Sequence, residues 1–167
     1  DLTPLSALPL KALYLYDTHI AELNALTNMT LTHLDVSNTA VSSLAGLQNV
    51  SQLRYLSASY SEVADISMLQ NATQLRVLFL FDTLVSKLEP LLTSGLASQG
   101  TDVGVTGCID LKGFSRATLV LDQLKKAGAT VQASNIPRSD CPDTLGNTAI
   151  TASTYQENDN IGVRWQL

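Results

Sequence analysis

The chain has 167 residues, of which 45% are hydrophobic and 15% charged, with a formal net charge of -5. That is enough for one packed domain with at most a fragment of a second, and it is too apolar for a disordered segment. No basic cluster marks a nucleic-acid or anionic-membrane partner, and the apolar runs are too short and too interrupted to insert into a bilayer.

The first element is half of a repeat. Leu2, Leu5 and Leu8 precede Leu10 at the offsets by which Leu23, Leu26 and Met29 precede Leu31. With Asp1 ahead of them, they read as the start of a processed or excised segment of something longer, a larger multidomain chain. Four alike segments follow: Leu10-Lys-Ala-Leu13-Tyr-Leu15, Leu31-Thr-His-Leu34-Asp-Val36, Leu53-Arg-Tyr-Leu56-Ser-Ala58 and Leu75-Arg-Val-Leu78-Phe-Leu80. Each continues through an apolar residue at Ile20, Val41, Val63 or Val85, then Leu23, Leu44, Ile66 or Leu88, then Leu26, Leu47, Leu69 or Leu91. A period in this range is the signature of a solenoid.

Within one coil, alternate residues of an extended strand point to opposite faces. Leu56 and Ala58 therefore point inward, and Tyr55, Ser57 and Ser59 outward. The apolar residues three apart that follow, Val63, Ile66 and Leu69, fit a tight 3₁₀-like return facing the same core. Thr18, Thr39, Ser61 and Thr83 share one place at the bend, where a hydroxyl can bridge the backbone of neighbouring coils. Asp17, Asn38 and Asp82, one residue earlier, read as turn formers, with a calcium role as the weaker alternative.

A fifth coil, Val103-Gly-Val105-Thr-Gly-Cys108, comes after a longer connection. A stacked array needs a lid. Ser115 is suited to cap a helix carrying Ala117, Val120, Leu121 and Leu124 on one face, with Lys125, Lys126 and Gly128 at its end. Ala129–Ala133 reads as one more strand. These features divide the chain into a repeat domain over 1–133, with coils starting near residues 10, 31, 53, 75 and 100 and a cap over 114–133. A linker covers 134–147. A two-strand tail covers 148–167, either a hairpin or the start of a truncated sandwich domain.

At this point the pattern resembles the leucine-rich-repeat family, of the short bacterial type found in internalin-like surface proteins. L-x-x-L-x-L, a polar bend, then I-x-x-L-x-x-L recurs over Leu10–Leu92. Gly100–Ala133 resembles the terminal capping unit of secreted bacterial members, through Leu124-Lys-Lys-Ala-Gly128-Ala-Thr-Val131. The family usually carries Asn at the bend where this chain has Thr or Ser. The tail from Ile150 to Trp165 resembles the opening strands of a fibronectin type III-like sandwich. The resemblance implies an α/β solenoid: a right-handed coil with a parallel β-sheet on its concave face, 3₁₀-like returns on the convex face and a helix–strand cap. It implies partner recognition on the sheet, and no catalysis.

Six of the nine aromatic residues, Tyr14, Tyr16, Tyr55, Tyr60, Phe79 and Phe81, fall on or beside the outward strand positions. Rings left on a solvent face anchor partners. Cross-strand stabilisation of the sheet, or cover by the tail or a neighbouring domain, are the competing readings. His33, Asp35, Arg54 and Arg76 complete the candidate partner-binding set, the two arginines being suited to an acidic partner. His33, Asp35 and Ser37 alternate along one strand at roughly 7 Å spacing, too far apart for a nucleophile–base pair. No catalytic residue, metal or cofactor is expected.

Cys108 and Cys141 are the two cysteines. They lack the C-x-x-C spacing of a zinc site, which favours a disulfide and an oxidising compartment over two buried free thiols. Asn28-Met-Thr30, Asn49-Val-Ser51 and Asn71-Ala-Thr73 match the glycosylation sequon, and a repeated turn residue explains them equally well. The expectation is an extracellular or cell-surface module that binds a protein, with a glycan as the other ligand class, through an aromatic-rich concave face. The alternative is a structural spacer in a multidomain surface protein, with that face covered in cis.

Overall fold

The computed structural model describes residues 1–47, 50–134 and 138–141, together with the backbone of the strand segments 151–157 and 160–166. Its centre is a parallel sheet of six strands in chain order. They are β1 (Ala12–Tyr14), β2 (His33–Asp35), β3 (Tyr55–Ser57), β4 (Val77–Thr83), β5 (Asp102–Gly107) and β6 (Thr130–Ala133). The register carries the repeat into space. Leu13, Leu34, Leu56, Leu78, Val103 and Val131 form one row, and Tyr14, Asp35, Ser57, Phe79, Gly104 and Gln132 the next.

The middle of the inward row is buried because each leucine there is flanked by coils on both sides. Leu34, Leu56 and Leu78 are 0% exposed, and burying such a side chain contributes roughly 1.5–3 kcal/mol. Leu10, Leu15 and Ile20 of the first coil are only partly buried, and Leu8 is 46% exposed. The returns are 3₁₀ turns at Asn24–Leu26, Val50–Gln52, Ser67–Asn71 and Glu89–Leu92. In each of four coils an i→i+3 hydrogen bond of 2.9 Å seats a core leucine, with the amides of Leu26, Leu47, Leu69 and Leu91 donating to Leu23, Leu44, Ile66 and Leu88.

The bend differs from the sequence expectation. The hydroxyls of Thr18, Thr39 and Ser61 donate to the carbonyls of Leu15, Val36 and Ala58 at 2.5–2.6 Å, and Thr83 donates to Leu80 at 3.3 Å. These partners lie three residues back in the same coil, not in the neighbour. The cause is the preceding residue: Asp17, Asn38, Tyr60 and Asp82 all have positive φ, +51° to +57°. That left-handed step folds the hydroxyl back under its own strand. Coil-to-coil links at the bend include backbone ones, as where Glu62 N donates to Val41 O at 3.0 Å and Leu84 N to Val63 O at 3.0 Å, and the Asn38 amide, which donates to Asp17 Oδ1 at 2.6 Å.

Helix α1 (Arg116–Lys126) closes the array by packing on the Glu89–Leu92 turn and on β6. Ser115 caps it, its side chain accepting from Thr118 N at 3.1 Å. Ala117, Val120, Leu121 and Leu124 are its buried face. Gly128, at φ +98°, ends it with a conformation that a side chain disfavours. Cys108 and Cys141 form a disulfide, with Cα atoms 5.2 Å apart across 33 residues of sequence. Near it Arg138 donates to Ser61 O (3.1 Å) and Asp82 O (3.0 Å) and pairs with Glu62 and Asp140. This clasp ties the segment after the cap to the third and fourth bends.

Strands β7 (Thr151–Glu157) and β8 (Asn160–Gln166) pair antiparallel, with Ala152 opposite Trp165. Most of the expected 134–147 linker, residues 148–150 and Leu167 lie outside the described residues.

Candidate functional site

The outward residues of β2, β3 and β4 form a continuous strip of rings. His33 stacks on Tyr55 (centroids 6.1 Å apart, planes at 20°), Tyr55 meets Phe79 edge-on (6.1 Å, 81°), and Phe79 stacks on Phe81 (5.7 Å, 17°). Parallel in-register pairing creates the strip, since His33, Tyr55 and Val77 share one row and Asp35, Ser57 and Phe79 the next. Such pairs prefer offset and edge-on geometries, which keeps the rings pre-ordered. All four are half-buried.

Gly104 shapes the far end of the strip. A Cβ there would overlap the Phe81 ring and come within 2.9 Å of Phe79 Cδ1, so Phe81 lies down over β5 only because position 104 has no side chain. Tyr14, Tyr16 and Tyr60 form a second group and stand out from the surface at 58%, 57% and 59% exposure. The six candidate aromatics therefore divide into a half-buried strip and an exposed set beside the first bends. Tyr60 is the one bend residue of its kind, a bulky ring at φ +57° where the equivalent residues are Asp17, Asn38 and Asp82.

The polar residues between the rings are tied down. Asp35 Oδ1 accepts from Ser37 N at 2.9 Å, and the Ser37 and Ser57 hydroxyls are 2.6 Å apart. Ser59 Oγ accepts from Phe81 N at 3.2 Å. Ser57 and Ser59 point outward by strand alternation, yet each is only 5% exposed. Burial, and then the negative charge of Asp35, push the Tyr55 phenol above its ordinary range, a shift the Ser57 hydroxyl opposes.

His33 Nδ1 lies 3.0 Å from the Thr32 hydroxyl. No hydrogen bond joins it to Ser37 among the described residues, and no group of three His, Cys, Asp or Glu side chains placed to hold a metal occurs among them either. Arg54 and Arg76 are exposed at the entry ends of their strands, in line with Lys11. Arg76 donates to Leu75 O (3.0 Å) and Gly95 O (3.1 Å), so its guanidinium is partly committed to backbone. Asn28 and Asn71 of the sequons are exposed, while Asn49 lies outside the described residues. No described helix is long and apolar enough to cross a membrane.

Sequence reasoning missed Gly104 and Arg138. For Gly104 a signal existed, since it is the one residue without a side chain in a row otherwise occupied by Tyr14, Asp35, Ser57 and Phe79. Arg138 acts on a bend 77 residues away, which no local pattern announces.

The stacked coils, in-register parallel sheet and 3₁₀ returns define a leucine-rich-repeat solenoid, an α/β class of protein. Among solved structures, the fold is similar to internalin C2 of Listeria monocytogenes, at 20% identity and a TM-score of 0.66, covering 80% of this chain and 56% of that one. Internalin F of the same organism aligns at 21% identity with a TM-score of 0.46, over 81% of this chain and 53% of that one. The chain thus spans little more than half the length of either. No family model and no curated relative matches the sequence.

Proposed function

We propose that this domain is an extracellular recognition module that binds a partner protein on the ring-bearing face of its sheet. The observation that carries the reading is the continuous His33–Tyr55–Phe79–Phe81 strip, bordered by the exposed Tyr14, Tyr16 and Tyr60. Rigid rings lose little entropy on binding, and aromatic clusters ringed by polar groups are where binding energy concentrates. Repeat solenoids present such sheets as broad docking surfaces. The disulfide supports an oxidising compartment.

Within this reading Tyr55, Phe79 and Phe81 anchor the partner, with Tyr14, Tyr16, Tyr60, His33 and Asp35 around them and Arg54 and Arg76 on the entry rim. The test is affinity capture from cell-surface extracts, with wild type beside a folded Tyr55→Ala/Phe79→Ala/Phe81→Ala variant. A protein held by wild type and released by the variant is the expected result. Equal capture by both would refute the assignment.

A further inference from the structure

At the exit ends of the first strands lies an open hollow of about 650 Å³, lined by Tyr16, Asp17, Asp35, Ser37, Asn38 and Tyr60. Its chemistry differs from that of the ring strip. Two carboxylates, Asp17 and Asp35, face it, and among the described residues neither is in an ion pair. One oxygen of each is engaged: Asp17 Oδ1 accepts from the Asn38 amide at 2.6 Å, and Asp35 Oδ1 accepts from Ser37 N at 2.9 Å. Each carboxylate is thereby oriented, and its second oxygen has no hydrogen-bond partner among the described residues. The exposed rings of Tyr16 and Tyr60 stand on the same hollow.

We infer that this hollow receives a basic side chain, an arginine or lysine, from the partner. The inference rests on the recognition reading above and adds the chemistry of one contact. Charge complementarity argues for it. A cation in the hollow meets two carboxylates and two phenol rings, and both kinds of group can attract it. A guanidinium suits the set best, because its planar fork can hydrogen-bond a carboxylate while its flat face stacks on a ring. The rims of the sheet agree with this direction. The entry ends carry Lys11, Arg54 and Arg76, whereas the exit ends carry Asp17, Asp35 and Asp82. Arg138, which donates to the third and fourth bends, is already paired with Glu62 and Asp140.

The test is an NMR titration of the isotope-labelled chain with N-acetyl-arginine amide, beside N-acetyl-citrulline amide as the neutral isostere. The expected result is a saturable millimolar shift centred on the amides of Tyr16, Asp17, Asn38 and Tyr60. Citrulline should bind at least about fivefold more weakly, as should arginine to an Asp17→Asn/Asp35→Asn variant. The same spectra report whether each variant is folded, and rising salt should weaken the wild-type shift without any mutation. Equal response to arginine and citrulline, shifts centred elsewhere, or no shift at saturating probe would overturn the inference. The two readings fail separately. If the ring variant still captures its partner, recognition by the strip falls while the arginine shifts stand. If the shifts are absent but capture depends on the rings, only the basic contact falls.

Discussion

Tyr60 sits at φ +57° with its ring 59% exposed, and this backbone angle can be tested apart from the ring. Tyr60→Ala and Tyr60→Gly both remove the ring and its contacts, so those losses cancel when the two variants are compared. What remains is the backbone preference. At an ordinary right-handed or extended site alanine is the more stable by about 0.5–1 kcal/mol, since glycine gives up more freedom on folding. At a left-handed site the Cβ costs roughly 1–2 kcal/mol, which outweighs that entropy. Tyr60→Gly should therefore be more stable than Tyr60→Ala by about 1 kcal/mol, a reversal of the usual order. For a chain of this size that is roughly 2–4 °C in midpoint. Thermal and urea melts of the two variants measure it. Equal stabilities, or alanine the more stable, would refute the left-handed assignment and with it the placing of Tyr60 against the hollow.

Four further outcomes are expected. Reduction, or Cys108→Ser/Cys141→Ser, should cost up to about 4 kcal/mol on the chain-entropy model for the 33-residue span, read as a lowered melting midpoint. Arg138→Ala, which removes donors to Ser61 O and Asp82 O, should cost about 1–2 kcal/mol, and peptide-resolved hydrogen exchange should rise at the third and fourth bends. The Asp140 carboxyl is held below the usual carboxylate range by the Arg138 guanidinium, so its contribution is present above the unfolded carboxylate pKa and fades as pH falls through the folded one. The stability gap between wild type and Asp140→Asn should therefore close on acidification. Because burial and then Asp35 raise the Tyr55 phenol, its neutral form is favoured in the folded chain. Stability should drop as pH rises through that pKa, and Tyr55→Phe should lessen the alkaline loss.

Most of the fold is legible in the sequence because the repeat writes the same instruction several times. Leu34, Leu56 and Leu78 recur at one offset, and the sheet reproduces that offset as a register row. The cap is legible for a different reason: Ser115, the apolar face of α1 and Gly128 are local signals. What stayed hidden depends on neighbours that no single coil specifies. Alternation assigns Ser57 and Ser59 to the outer face, but it does not tell that both are covered there, each only 5% exposed. The bend hydroxyls looked able to reach across coils, and the left-handed residue before each turned them inward. Within the candidate site, the aromatic positions were readable. Their division into a half-buried strip and an exposed set was not, because it depends on which neighbour overhangs each ring, and on Gly104 leaving room for Phe81.

The most direct test of the central claim is calorimetric titration of the captured partner against Tyr55→Ala, Phe79→Ala and Phe81→Ala. Leu119→Ala on the cap, an apolar residue 49% exposed and outside the buried face of α1, is the control. At least one ring variant should lose about 2 kcal/mol or more of binding, roughly thirtyfold in Kd, while the control is unchanged. Wild-type affinity in all three folded ring variants would contradict it, and would move the interface off the strip.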